Sequence, residues 1–186
     1  MLDIAGRIWY DIWVERQANE GPQMNTANVK TLKQQLNKIS SDSYTAQRVD
    51  IPKNYDLYDF ASDLVDIDTS EGTKGRGAFR AVFPTICGAW VAKFPWGEEG
   101  ANQNVDEAKR FALLAPFGLA PKHRLVWIAG VPVMYVEKLT SMDEKQMSNS
   151  LEFRTMEFIK SKLGINDWMQ TGLTSTGRRV FSDIGH

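Results

Sequence analysis

Residues 75–83 read GRGAFRAVF. Two glycines stand one residue apart, and an alternating apolar run comes after them. The stretch is either a tight turn feeding a β-strand or a loop whose backbone amides approach phosphate oxygens with no Cβ in the way. With Arg80 where a GxGxxG loop has its third glycine, the stretch alone favours the plain turn. The next segment matters more. ICGAWVAKF, residues 86–94, predicts a second strand joined through Pro84 and Thr85. Val91 and Lys93 share one face of that strand. A lysine on an inward face needs a carboxylate partner, because a lone buried ammonium gives up its proton instead. QNVDEAKRFALLA, residues 103–115, predicts a helix with Val105, Ala108, Phe111, Ala112 and Ala115 on one side. It offers Asp106 and Glu107, and Glu107 is better placed, at the edge of the apolar face. The alternative is a Lys93 that snorkels to solvent from an edge strand.

Outward from this centre, periodicity predicts three helices upstream: 2–17 (Ile4, Ile8, Trp9, Ile12, Trp13), 26–40 (Val29, Leu32, Leu36, Ile39) and 55–66 (Leu57, Phe60, Ala61, Leu64, Val65). Gly21 and Pro22 break the chain between the first two, and 41–54 is loop. Downstream, HRLVWIA and VPVMYVE form a hairpin through Ala129–Gly130. A long helix spans 143–163 and ends at Gly164, and two short strands flank Ser175-Thr176-Gly177. From residue 70 the order is β-β-β-α-β-β-α-β-β. Helices do not alternate with single strands, so the expected class is α+β, one antiparallel sheet with helices to one side.

Composition excludes several functions. At 186 residues the chain is long enough for a real core. A net charge of −1 with no basic stripe does not suggest a nucleic-acid binder. One cysteine, Cys87, and two histidines leave no internal disulfide and no structural zinc site. No apolar run is long enough to span a membrane, and Asp3, Arg7 and Asp11 rule out a signal peptide. The expected compartment is the cytoplasm, of a host cell if the chain is viral.

The ordered segments resemble the N-terminal lobe of the protein-kinase-like fold. GRGAFRAV is similar to the glycine-rich loop, VAK to the strand carrying the family's lysine, and Glu107, fourteen residues after Lys93, to the helix glutamate paired with it. VMYVEKL, residues 133–139, looks like the hinge strand. Asn166-Asp167-Trp168 comes after the long helix, and Ser182-Asp183-Ile184-Gly185 looks like an aspartate-x-glycine motif. The resemblance implies an N-lobe of antiparallel sheet plus helix over about 69–138, a truncated C-lobe over about 139–186, and a helical extension over 1–68. It implies ATP and magnesium as cofactors. Lys93 would hold the α- and β-phosphates, with Glu107 fixing its position. Gly75, Gly77, Arg80 and Val82 would cover the nucleotide. Met134 and Val136 would lie on its adenine side, with Met134 or Tyr135 guarding the back. Asp167 would be the catalytic aspartate and Asp183 the magnesium ligand.

The departures set the functional expectation. Gly172 stands where the family has its asparagine metal ligand, Ile165-Asn166 where it has His-Arg, and Arg80 can either bind phosphate or block the site. Residues for an activation segment and a peptide-binding lobe do not follow Asp183. These features resemble the smallest kinase-like proteins of bacterial effectors and phages. They imply a pseudokinase-type binding or inhibitor protein acting on a host factor, with the partner reached through the N-terminal helices and their Trp9 and Trp13. The alternative is a minimal ATP- and magnesium-dependent serine/threonine-type kinase with slow phosphotransfer. A third reading is an unrelated α+β domain.

Overall fold

The computed structural model describes residues 30–34, 36, 48–70, 72–73, 75–141, 158–163, 171–182 and 184. The helix expected over 2–17, with Trp9 and Trp13, lies outside the described residues, as do Asp167 and Asp183.

The alternation read from residues 80–94 becomes a β-hairpin. Strands β1 (Gly75–Arg76), β2 (Arg80–Pro84) and β3 (Trp90–Pro95) pair antiparallel, with Val82 opposite Lys93. After β3 the chain turns at Trp96-Gly97 into helix α2 (Glu98–Leu114), which returns it to β4 (His123–Ile128) and β5 (Val131–Glu137). The Ala129–Gly130 link has positive φ at both residues, 47° and 82°. That is the two-residue turn whose twist matches a hairpin. The five strands form one antiparallel sheet in the order β1-β2-β3-β5-β4. Within the described residues the protein is α+β.

Two expectations about the layers are corrected. The tail strands β7 (Thr171–Leu173) and β8 (Arg179–Phe181) do not join this sheet. They pair with β6 (Thr140–Ser141) in a second, three-stranded antiparallel sheet. Helices also cover both faces of the large sheet. Its outer face presents Ala81, Phe83, Ala92, Phe94 and Val133, and α1 (Leu57–Ser62) closes it with Leu57 and Ala61. The inner face presents Met134, Val136 and Leu125 to Phe111 and Leu114 of α2, and Phe181 and Ile184 of the tail complete that core. Leu32, Leu36, Ile159 and Leu163, from helical residues 30–34, 36 and 158–163, pack into the same cluster. Both sheet faces are apolar, so neither can be left to water.

Local chemistry sets the helix ends. α1 is capped by Asp56, whose carboxylate accepts from the amides of Tyr58 and Asp59, and it stops at Ser62. Val65, expected on the buried stripe, is therefore exposed. α2 begins five residues before the expected 103. Glu98 and Glu99 in its first turn suit the positive end of the helix dipole. Its third residue, Gly100, is required by a close approach. A Cβ there would lie 2.1 Å from the carbonyl oxygen of Phe79. The turn after Gly77 thus rests on the start of α2. Among the described residues, no helix is long and apolar enough to cross a membrane.

Candidate functional site

The inner face of the sheet brings Arg80, Val82, Lys93, Met134 and Val136 to one side, because β2, β3 and β5 are in register there. Val82 lies opposite Lys93, Lys93 opposite Met134, and Val91 opposite Val136. Tyr135 falls on the other face, opposite Ala92, and its hydroxyl reaches Asp66 at 3.4 Å. Of the two residues expected to guard the back, strand parity puts Met134 on the inner face and Tyr135 on the other. Burial and the Asp66 carboxylate push the Tyr135 phenol well above its ordinary range.

Glu107 is fully buried, at the middle of the covered face of α2 rather than at its edge. Its Oε1 accepts from Lys93 Nζ at 2.7 Å, and its Oε2 accepts from Arg80 Nη1 at 2.5 Å. Both cations are themselves 6 % exposed. A buried carboxylate that lost its partners would be strongly destabilising, so this arrangement fixes all three side chains. The pair of Lys93 and Glu107 is formed, and Lys93 does not snorkel to solvent. Arg80 turns inward and occupies the second carboxylate oxygen.

Asn104 braces the cluster. Its Oδ1 accepts from Arg80 Nη1 at 3.2 Å, while its amide donates to the carbonyls of Lys93 (2.8 Å) and Pro132 (2.9 Å). Pro95 and Pro132 both lie two residues beyond Lys93–Met134, the last registered pair of β3 and β5, and lack N–H groups, so a side-chain amide supplies donors there. The tail reaches the same cluster. Lys93 Nζ donates to Ser182 O at 3.3 Å, the Ile184 amide donates to Glu107 Oε1 at 3.4 Å, and Arg110 Nη1 donates to Ile184 O. Asp183 itself is not described, but its neighbours on both sides touch the ion-paired group.

The glycine stretch is used internally. Gly75 lies in β1 opposite Val82, and the Gly77 amide donates to Arg80 O at 2.9 Å. The Gly77 carbonyl accepts from Trp96 Nε1 at 3.2 Å, and the Phe79 carbonyl from the Trp96 amide at 2.8 Å. Arg76 stacks over the Trp96 ring, with its guanidinium carbon 4.8 Å from the ring centre. Gly172 is also tightly placed. A Cβ there would lie 2.8 Å from Leu139 Cβ and 3.2 Å from Thr140 O. Position 172 therefore cannot carry a metal-ligating side chain without rearrangement. Among the described residues, no group of three or more His, Cys, Asp or Glu side chains could hold a metal ion.

Beside the cluster, His123 packs on Phe111 with ring centres 5.2 Å apart, and its Nδ1 donates to Pro121 O at 3.0 Å. Burial holds this imidazole below its ordinary value. Asn104 and Arg110 do not stand out in the sequence. The available signal is their three-residue spacing from Glu107, which stacks Asn104, Glu107 and Arg110 along one side of a helix. No family model, curated protein or solved structure matches the chain.

Proposed function

We propose that the chain is a kinase-like module, an N-lobe over about 69–138 with C-lobe residues over about 139–186, that works as a pseudokinase-type binding protein. The observation that carries this reading is the inward turn of Arg80 onto Glu107 and Asn104. A guanidinium is large and permanently charged, and here it stands where the family's loop has a glycine to let phosphate approach. Two further observations support it. The Gly77 amide already has an internal acceptor, and Gly172 is too crowded for the asparagine that would hold a second magnesium. In this reading Lys93 and Glu107 serve as scaffold, and the product is a rigid surface for a protein partner, in keeping with an inhibitor of a host factor.

The test is thermal unfolding with millimolar ATP and magnesium. Ligand that binds only the native state raises the midpoint. The expected result is no shift. A clear rise in the wild type that Lys93→Ala abolishes overturns this reading in favour of a minimal kinase. One observation favours that second reading: Ser182 and Ile184 bring the aspartate-x-glycine stretch against Lys93 and Glu107. Its signature would be autophosphorylation lost in Asp183→Asn.

A further inference from the structure

We infer that Arg80 is a built-in ligand that couples the 75–80 turn to the backbone of Ser182 and Ile184 through the single carboxylate of Glu107. The inference rests on the proposed function, in which the cleft is closed by the chain itself, and adds how that closure is enforced.

Glu107 divides its two oxygens between the two segments. Oε2 belongs to Arg80, at 2.5 Å. Oε1 accepts from Lys93 at 2.7 Å and from the Ile184 amide at 3.4 Å. Lys93 in turn donates to Ser182 O, and Arg110, three residues along α2 from Glu107, donates to Ile184 O. The tail backbone on either side of residue 183 is thus held by Glu107 or by a cation close to it. A carboxylate is a planar, rigid group, so its two oxygens cannot be reoriented independently. Arg80 fixes the plane through Oε2, with the guanidinium itself steadied by Asn104 Oδ1 at 3.2 Å. That plane aims Oε1 at Lys93 and at the tail. Without Arg80, Oε2 is left in a buried place short of its donor. The carboxylate then turns toward the donors that remain or draws in water, and in either case Oε1 leaves its present line to Ile184.

The consequence is regulatory. A cleft that needs a bound phosphate to order its tail would report nucleotide. Here the backbone of Ser182 and Ile184 is held through Glu107 and its cations, with the carboxylate plane set by Arg80, 102 positions upstream of Ser182, and no phosphate enters the arrangement. The surface offered to a partner stays the same whether or not nucleotide is present.

Native-state hydrogen exchange on the full chain tests this. In Arg80→Ala, peptides covering 179–184 should exchange roughly tenfold faster than in the wild type, the middle of the range for groups in one buried network. Peptides from α1, on the far face of the sheet, should change much less. Arg80→Gln is the milder variant, read the same way if Arg80→Ala does not fold. Faster exchange confined to 75–82, or a uniform increase in every peptide, overturns the coupling. Binding of ATP by the wild type would overturn the functional reading yet leave this coupling standing. An indifferent tail would do the reverse.

Discussion

Gly100→Ala tests whether the turn at 77–79 really bears on the start of α2. In an open helix this change is favourable by up to about 1 kcal/mol, because alanine loses less backbone freedom than glycine. Here the added Cβ would lie 2.1 Å from Phe79 O and 3.0 Å from Pro95 Cα. Both obstacles are main-chain atoms, so no side-chain rotation relieves them. The turn must lift or the first helical turn must unwind. Lifting it stretches the bond from the Trp96 amide to Phe79 O, now 2.8 Å. That bond is worth about 1 kcal/mol. Forcing a methyl into a packed place costs about 1–3 kcal/mol more. After subtracting the propensity gain, the net loss is about 1–3 kcal/mol. Urea titration followed by tryptophan fluorescence reads it as a lower midpoint at unchanged slope. A variant as stable as the wild type, or more stable, would show that the turn does not sit on α2.

The ion cluster predicts an order of effects. Glu107→Leu removes the carboxylate that two buried cations share and should cost about 3–5 kcal/mol, whereas Lys93→Met leaves Arg80 to neutralise the carboxylate and should cost about 1.5–3 kcal/mol. Equal losses in urea titration would mean that Arg80 does not share the carboxylate. His123 predicts a pH dependence. Its folded value is depressed by burial, so the folded state binds fewer protons. Stability should be full above about pH 6.5 and fall as the pH drops through the window below it. His123→Phe should flatten that part of the profile, and an unchanged slope would assign it to other groups.

The strands and hairpins are legible because their signals are local. Alternation in 80–94, the Ala129–Gly130 link and the Ser175–Gly177 turn need no knowledge of the rest of the chain. The hidden features depend on distant partners. Glu98, Glu99 and Gly100 precede the helix expected from 103 and yet form its first turn, where Gly100 leaves room for Phe79 O. β6 is two residues without a pattern, paired with residues that arrive some thirty positions later. The covered stripe of α2 is hard to place because Asn104, Glu107 and Arg110 count as surface residues until Arg80 and the tail are set against them. Lys93 and Glu107 are legible as a pair because an inward lysine requires a carboxylate. The direction of Arg80 is not, since a residue at a loop edge can face either way.

The two-residue turn at Ala129–Gly130 has a reach beyond its own hairpin. It sets Ile128 opposite Val131, and every later pairing of β4 with β5 inherits that choice, including Leu125 with Met134. Side chains alternate with period two, so a three-residue or one-residue link would exchange odd and even positions along β5. Tyr135 and its hydroxyl would then replace Met134 beside Lys93, and Met134 would move into the aromatic layer under α1. Whether the Lys93–Glu107–Arg80 cluster sits in a dry apolar seat or beside a phenol is thus a matter of counting, decided about 14 Å away at a turn with no chemistry of its own.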